Sequence, residues 1–288
     1  MGGRPRFSGA LAGAVLAAAL AYGNAPPIAR AGALQVSSGL DYAGDGSDVH
    51  RLDLYLPPEP HSAAIVIFIH GGAFMQGTRQ EYAEVGRALA QQGIPTAVVS
   101  YRLYPQSDAG GACRDVALAT MWTIRHAGAY GLDAHNIFLV GHSAGAQIAA
   151  VIGTDPQYLN GAGGSIGAIR GIVAVAGAYD VRDLSGEPDS WQRVDGHIYG
   201  ETPQARGAFS PAAHIDPHSP PTITACGTQD DPDSCGRALR FAAALRAAGI
   251  PATTIQESGA DHMGMLRALI DAKDPLNEAL HYFIAKEI

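Results

Sequence analysis

The sequence predicts an α/β fold, a mostly parallel sheet with helices on both faces, and three observations carry that expectation. From residue 51 onward, strand-like and helix-like segments alternate, the pattern that forces parallel strands joined by crossover helices. Several strand segments are unbroken apolar runs, as strands covered on both faces are. Of the 288 residues, 47% are hydrophobic and 16% charged, enough apolar material for one large core and too much for a disordered chain.

The first thirty residues stand apart. Arg4 and Arg6 precede an apolar run over 9–22, and Ala29-Arg30-Ala31 follows as a small-x-small site. That order predicts a secretory signal peptide over 1–31. The run is about 14 residues, shorter than the roughly 20 needed to cross a bilayer. No stable membrane anchor is therefore expected after leader cleavage, and the mature protein, one domain over 32–288, is expected to be periplasmic or secreted.

Within that domain, Arg51–Leu56 alternates polar and apolar residues and ends at Pro57-Pro58, so it reads as an antiparallel edge strand. Residues 63–69, AAIVIFI, form a β-branched run suited to a central strand. A helix over 81–92 stops at Gly93, a strand follows over 95–101, and a helix over 112–130 closes at Gly131. A short strand over 137–140 runs directly into a helix of small residues over 144–152. After a strand at Ile169–Val175, periodicity is lost over 181–220, a segment containing Trp191 and Tyr199 that reads as a cap or lid excursion. Strand 221–226, helix 235–248, strand Ala252–Glu257 and a helix from Leu266 onward complete the pattern.

Composition excludes some partners. The formal net charge is −8 and no run of Lys or Arg occurs, so the basic stripe required for nucleic-acid binding is missing. The Gly-rich stretch 161–167 does not fit a dinucleotide fingerprint and no phosphate loop is present, so no cofactor is expected. Three cysteines, Cys113, Cys226 and Cys235, leave at least one unpaired in a monomer. Cys226 and Cys235 are close enough across a turn to form a disulfide in an oxidising compartment, or to remain buried thiols.

Gly141-His142-Ser143-Ala144-Gly145 is the most informative segment. It fits G-x-S-x-G and lies between a predicted strand and a predicted helix, the context in which the serine of this motif is a nucleophile. The glycines relieve crowding around a strained turn, and Ala144 at the helix start leaves a backbone amide free to face an anion. A serine hydroxyl needs a base. In a sheet of this kind the base is expected after the last strand, where His262 lies in Ser258-Gly259-Ala260-Asp261-His262. His142 adjoins the serine, but neighbouring side chains on a sharp turn diverge, so it is expected to pack beside the site. His126, His135 and His281 read as helix or surface residues.

The imidazole in turn needs a carboxylate. The penultimate strand leads into Cys226-Gly227-Thr228-Gln229-Asp230-Asp231, which makes Asp230 the first candidate and Asp231 the alternative. Asp233 reads as a helix N-cap. An oxyanion formed on attack needs preorganised donors, and His70-Gly71-Gly72-Ala73 after the first central strand supplies them. The amides of Gly72, Ala73 and Ala144 are assigned to the oxyanion, with Gly71 and His70 supporting the loop. His214 and His218 have metal-ligand spacing, but Pro217 breaks the helix that such a pair requires, and no metal is expected.

Together these segments resemble the α/β-hydrolase superfamily, and more closely its serine carboxylesterases of the hormone-sensitive-lipase-like, feruloyl-esterase-like and kynurenine-formamidase-like group. The marks are LDLYLP at 52–57, HGGAF at 70–74, SYRLYP at 100–105, GHSAGA at 141–146, GTQD at 227–230 and GADH at 259–262. Prenylcysteine methylesterases of this group are similar around HGGAF and the Tyr-Arg segment. The resemblance implies an eight-stranded α/β-hydrolase fold and a serine hydrolase that cleaves small carboxylic esters through an acyl-enzyme, its partner a small acyl ester, and the leader adds the expectation that it is exported. The same machinery serves arylformamidases and other amide hydrolases. A non-catalytic binding module of this fold would be expected to have lost one of Ser143, Asp230 and His262. Two departures stand out: Ala73 replaces a frequent third glycine, and residues 32–50 are too few for a two-helix cap. An open acyl pocket, covered mainly by 181–220 and suited to short acyl chains, is the expectation. The residues point to no particular oligomeric state.

Overall fold

The structure, a computed structural model, describes residues 32–58, 64–183 and 196–287. Eight strands form one sheet: β1 (Gln35–Asp41), β2 (Arg51–Leu56), β3 (Ile65–Ile69), β4 (Thr96–Val99), β5 (Ile137–His142), β6 (Ile169–Val175), β7 (Thr222–Gly227) and β8 (Ala252–Glu257). Their spatial order is β1-β2-β4-β3-β5-β6-β7-β8. β2 is antiparallel to both β1 and β4, and the remaining pairings are parallel.

The unbroken apolar runs follow from burial on both faces. Ile65, Ile67 and Ile69 of β3 and Ile137 and Leu139 of β5 enter one core cluster, while Val66, Phe68, Phe138 and Val140 enter the other. Successive side chains alternate between faces, so a sheet covered twice has no face left for polar residues. The first cluster is closed by α2 (Ala109–His126), α3 (Ala144–Thr154) and α6 (Ser234–Ala247). The second is closed by α1 (Ala83–Gln91), α7 (His262–Ile270) and α8 (Pro275–Glu287). Short helices α4 (Pro156–Gly161) and α5 (Pro203–Gly207) complete the set.

α3 is buried along its whole length, which explains its small residues. A Cβ on Gly153 would lie 2.2 Å from Ile172 Cδ1 of β6, and one on Gly145 would lie 2.0 Å from the Ile69 carbonyl oxygen of β3. The helix that follows Ser143 therefore packs backbone-close against the centre of the sheet.

Several expectations require correction. Arg51–Leu56 is antiparallel but is not the edge, because β1 pairs along its outer side. The β1 sequence QVSSGLD carries few apolar residues and a register shift between Ser37 and Leu40, so it gives little strand signal. The single helix expected from Leu266 is two helices, α7 beginning at His262 and α8 at Pro275. α4, absent from the sequence reading, starts at Asp155, which caps it by accepting from the Gln157 amide, with Pro156 at its first position. The described part of the 181–220 excursion is not wholly irregular: it holds a helical turn over 196–199, α5 and a 3-10 turn at Pro211–Ala213. The proposed leader 1–31, Ala63 and Trp191 lie outside the described residues. Cys226 and Cys235 form a disulfide, and Cys113 is a buried thiol. Among the described residues no helix is long and apolar enough to cross a membrane.

Candidate active site

Ser143 lies between the last residue of β5 and the first of α3, with φ of 58°. A non-glycine residue in this left-handed region is strained, and the surroundings hold it there. Its amide donates to the Val175 carbonyl at 2.8 Å, and its carbonyl accepts from the Ala146 and Gln147 amides at 3.0 and 3.2 Å. The glycines on either side have a direct cause. A Cβ on Gly141 would meet the Gly145 carbonyl oxygen at 2.2 Å, and one on Gly145 the Ile69 carbonyl oxygen at 2.0 Å, so neither position accepts a side chain. Ala144 takes the first helical position, where the amide has no intrahelical acceptor.

The loop after β3 lies across this turn. A Cβ on Gly71 would sit 2.9 Å from Ser143 Cβ, and one on Gly72 would overlap the Gln76 carbonyl oxygen at 1.9 Å. Gly72, Ala73 and Phe74 all have positive φ, of 119°, 52° and 60°. The Gly72 carbonyl accepts from the Met75 and Gln76 amides at 2.9 and 3.1 Å, folding the loop back on itself. Among the described residues, the amides of Gly72 and Ala73 donate to no protein acceptor. His70 orients the loop as expected. Its ring stacks on Tyr101 at 4.3 Å and on Tyr82 at 5.3 Å. Its Nδ1–H donates to the Gly71 carbonyl at 2.7 Å, and its own carbonyl accepts from Tyr101 Oη at 2.7 Å. Burial pushes the His70 imidazole down to about 4, against a smaller upward effect of the Gly71 hydrogen bond.

His262 and Asp230 meet as the sequence implied. His262 Nδ1 lies 2.9 Å from Asp230 Oδ2 and 3.2 Å from Oδ1. A carboxylate only accepts, so Nδ1 carries the proton and Nε2 is left as the basic nitrogen. The Asp231 amide donates to Asp230 Oδ1 at 2.8 Å and Ser234 Oγ to Oδ2 at 3.2 Å. Burial raises the Asp230 carboxyl, but the hydrogen bonds from His262, the Asp231 amide and Ser234 outweigh it and hold the group below its ordinary range.

Asp231 turns away from His262 to pair with Arg237 and to accept from the Asp233 amide. Asp233 occupies the N-cap position of α6 without a side-chain capping bond, because its carboxylate pairs with Arg240 at 2.5 Å. Rather than lying in a free loop, His262 opens α7, behind the Asp261 cap.

The acid and base loops are joined by main chain. Thr228 N donates to the Glu257 carbonyl and Gln229 N to the Ala260 carbonyl, both at 3.0 Å. A Cβ on Gly227 would lie 2.2 Å from that Ala260 oxygen. The Cys226–Cys235 disulfide closes the acid loop at its two ends.

Three features were not legible from the motifs. His142 packs beside the site as expected, but it also bonds to the base: its Nε2–H donates to the His262 carbonyl at 2.9 Å, and the two rings are 4.8 Å apart. Gln147, one helical turn beyond Ser143, accepts from Tyr199 Oη at 2.7 Å and donates through Nε2 to the Phe209 carbonyl at 2.8 Å. Phe74, next to the Ala73 amide, packs edge-on against Tyr199 at 5.6 Å. Tyr199 therefore bridges the loop after β3 to the nucleophile helix. The i+4 spacing of Gln147 from Ser143 was the available signal for its side of the helix. Three of the exposed large apolar residues are Met75 in the loop after β3, Tyr104 after β4 and Met263 in the first turn of α7.

Elsewhere, His214 donates from Nε2 to the Gly207 carbonyl at 2.8 Å, and His218 bonds to Asp216 at 2.9 Å in an irregular loop. Among the described residues no group of three or more His, Cys, Asp and Glu side chains is arranged to hold a metal ion.

The sequence matches the BD-FAE family over residues 52–245. It is 29% identical to an isoprenylcysteine alpha-carbonyl methylesterase of Arabidopsis thaliana over 249 residues, covering 79% of this chain and 56% of that protein. It is 25% identical to a kynurenine formamidase of Danio rerio over 240 residues, covering 82% of this chain and 78% of the relative. The chain spans between 33% and 56% of the length of the methylesterases it matches. Among solved structures, a truncated carbohydrate esterase from gut microbiota superposes with a TM-score of 0.76 at 21% identity, covering 88% of this chain and 96% of the other.

Proposed function

Because the chain belongs to the BD-FAE family and has the α/β-hydrolase fold, we propose that it is a serine hydrolase of small carboxylic esters. The observation that carries this reading is the Asp230–His262 hydrogen bond on the same rim as a positive-φ serine at a strand-to-helix turn. Asp230 fixes the tautomer that leaves His262 Nε2 basic. Nε2 takes the Ser143 Oγ proton as Oγ attacks the acyl carbon, and the carbonyl π electrons move onto oxygen. The resulting oxyanion is held by the amides of Gly72, Ala73 and Ala144, donors of a kind worth roughly 3 kcal/mol in barrier height. On collapse the C–O bond to the alcohol breaks, and the His262 imidazolium returns its proton to the departing oxygen. Water, deprotonated by the same nitrogen, then releases the acid from Ser143.

Strand order supports a short acyl group. β5 delivers the nucleophile, β7 and β8 deliver acid and base on one side, and β3 delivers the oxyanion loop on the other. The leaving oxygen faces His262, so the acyl chain points toward Phe74, Tyr199 and Gln147, which are all buried and packed on one another. Tyr199 comes from the described part of the 181–220 excursion, and its contacts with Phe74 and Gln147 support a covered acyl side over an open one. The leader-like residues 1–31 support export to the periplasm or the medium. Similarity to a kynurenine formamidase favours amide hydrolysis by the same residues as a second reading.

A ladder of p-nitrophenyl esters from acetate to palmitate, given to the mature protein and to Ser143→Ala, tests the proposal. Activity is expected to peak at acetate to butyrate, to vanish in Ser143→Ala, and to extend to longer chains in Tyr199→Ala. A formyl-anilide outpacing the matched acetate ester would favour the amide reading, and activity surviving in Ser143→Ala would overturn both.

A further inference from the structure

We propose that His142 is a positioning residue of the reaction, a second imidazole that anchors the main chain of the base His262 to the nucleophile turn; the proposal rests on the serine-hydrolase reading of the site. His142 is 1% exposed, and its Nε2 lies 2.9 Å from the His262 carbonyl oxygen, which can only accept. The tautomer is therefore Nε2–H, with Nδ1 bare. Nδ1 is buried without a hydrogen-bond partner and faces Gly71, where a Cβ would come within 3.1 Å of it. The ring thus fills the space between the oxyanion loop and the base, with the His262 ring 4.8 Å from its centre.

The carbonyl that it holds belongs to the first residue of α7. At that point the chain leaves its main-chain bonds to the acid loop, the Gln229–Ala260 bond being the last before it. Asp230 fixes the rotation of the His262 ring through Nδ1, while His142 fixes the backbone from which the ring projects. Two constraints from different strands, β7 and β5, are needed to set both where the ring starts and how it is turned. Displacing such a group by about an ångström is enough to cost up to two orders of magnitude in rate. Burial keeps His142 neutral, its imidazole pushed down to about 4, so it places no second positive charge beside the imidazolium that forms on His262.

The test uses His142→Leu, His142→Gln and His142→Asn of the mature protein on p-nitrophenyl acetate, with thermal melting of each variant. Gln carries its amide nitrogen at the distance of Nε2 and can reach the His262 carbonyl, whereas Asn places its nitrogen near Nδ1 and cannot. We expect Leu and Asn to lower kcat by roughly 10- to 100-fold with KM within about twofold, and Gln to recover most of the loss at a similar melting temperature. Equal kcat in all four proteins, or Asn performing as well as Gln, would overturn the proposal. Losses that scale with melting temperature across the three variants would also overturn it, because a purely structural ring does that. Loss of the serine-hydrolase reading would appear differently, as wild-type protein inert toward esters or as activity surviving in Ser143→Ala.

Discussion

Removing the disulfide should affect both the stability of the protein and the rate of its chemistry. Cys226 ends the apolar part of β7 and Cys235 lies in the first turn of α6, nine residues apart, and Asp230 lies between them. For a closure of that length, the chain-entropy relation gives about 2.6 kcal/mol of denatured-state restriction at 25 °C. In a chain of this size that corresponds to a melting temperature roughly 4–5 °C lower in the Cys226→Ala/Cys235→Ala protein. The acid loop keeps other ties, namely the Gln229–Ala260 and Thr228–Glu257 main-chain bonds and the Ser234 hydroxyl on Asp230. Asp230 should therefore stay near His262 but be less narrowly held. Because the acid acts through His262 and does not touch substrate, kcat should fall several-fold while KM holds. The assays are calorimetry and initial rates on p-nitrophenyl acetate for both proteins, with thiol counting under denaturation. Three free thiols in the wild-type protein would show that the bridge is absent. A lower melting temperature with unchanged kcat would refute the link between the clasp and the acid.

Acid should destabilise the protein well before carboxylates titrate. His70 and His142 are both buried and pushed down to about 4 from 6.5. Between those values the unfolded chain binds a proton at each and the folded chain does not, so stability falls as pH drops below 6.5 and the loss is complete near 4. One unit of pH is worth about 1.4 kcal/mol per group, or roughly 3 kcal/mol for the pair. Urea midpoints at pH 7.5, 6.5, 5.5 and 4.5 would show this slope, and a flat profile would refute it. The lowered pKa of Asp230 works in the same sense at lower pH: its contribution is present above the ordinary carboxylate range and is lost as pH falls through the folded value. The two neighbouring aspartates should separate cleanly, since Asp230→Asn leaves His262 with the wrong tautomer and should lower kcat by roughly 10³- to 10⁴-fold. Asp231→Asn loses a surface pair with Arg237 and should stay within a few-fold of wild type. Comparable losses in both would show that the acid loop, not one carboxylate, is what matters.

The legible part of this protein was the part whose cause is local. AAIVIFI reads as a strand because both faces of β3 are covered, and Gly141 is demanded by a collision with the Gly145 carbonyl only four residues on. Asp230 could be narrowed to one of two positions, but consecutive side chains diverge, and only the fold turns one toward His262 and the other toward Arg237. β1 escaped because an outer strand with half-exposed residues needs no apolar alternation. The contacts of His142 with residue 262 and of Tyr199 with Gln147 span 120 and 52 positions. No periodicity or spacing rule reaches that far; such pairs are set by sheet order and by where an irregular segment settles.

Sheet order also sets which parts of the proposed site are held by main chain and which by side chains. Four strand ends, those of β3, β5, β7 and β8, lead into the loop of Gly72 and Ala73, Ser143, Asp230 and His262, all at the carboxyl edge of parallel strands where such sheets carry their sites. The critical separations between them are set by backbone against backbone. Gly145 lies against the Ile69 carbonyl, Gly71 against the Ser143 turn, and Gly227 against the Ala260 carbonyl, each too close for a Cβ. Main-chain contacts of this kind fix the proposed catalytic residues without using the side chains around them. On the proposed reading, those side chains, Phe74, Tyr199 and Gln147 on one side and Met263 on the other, can change while Ser143, Asp230, His262 and the amides of Gly72, Ala73 and Ala144 keep their places. An irregular segment such as 196–213 is suited to carry that variation, because it meets the catalytic framework through side chains, as Tyr199 meets Gln147, and contributes no strand to the sheet that sets the geometry.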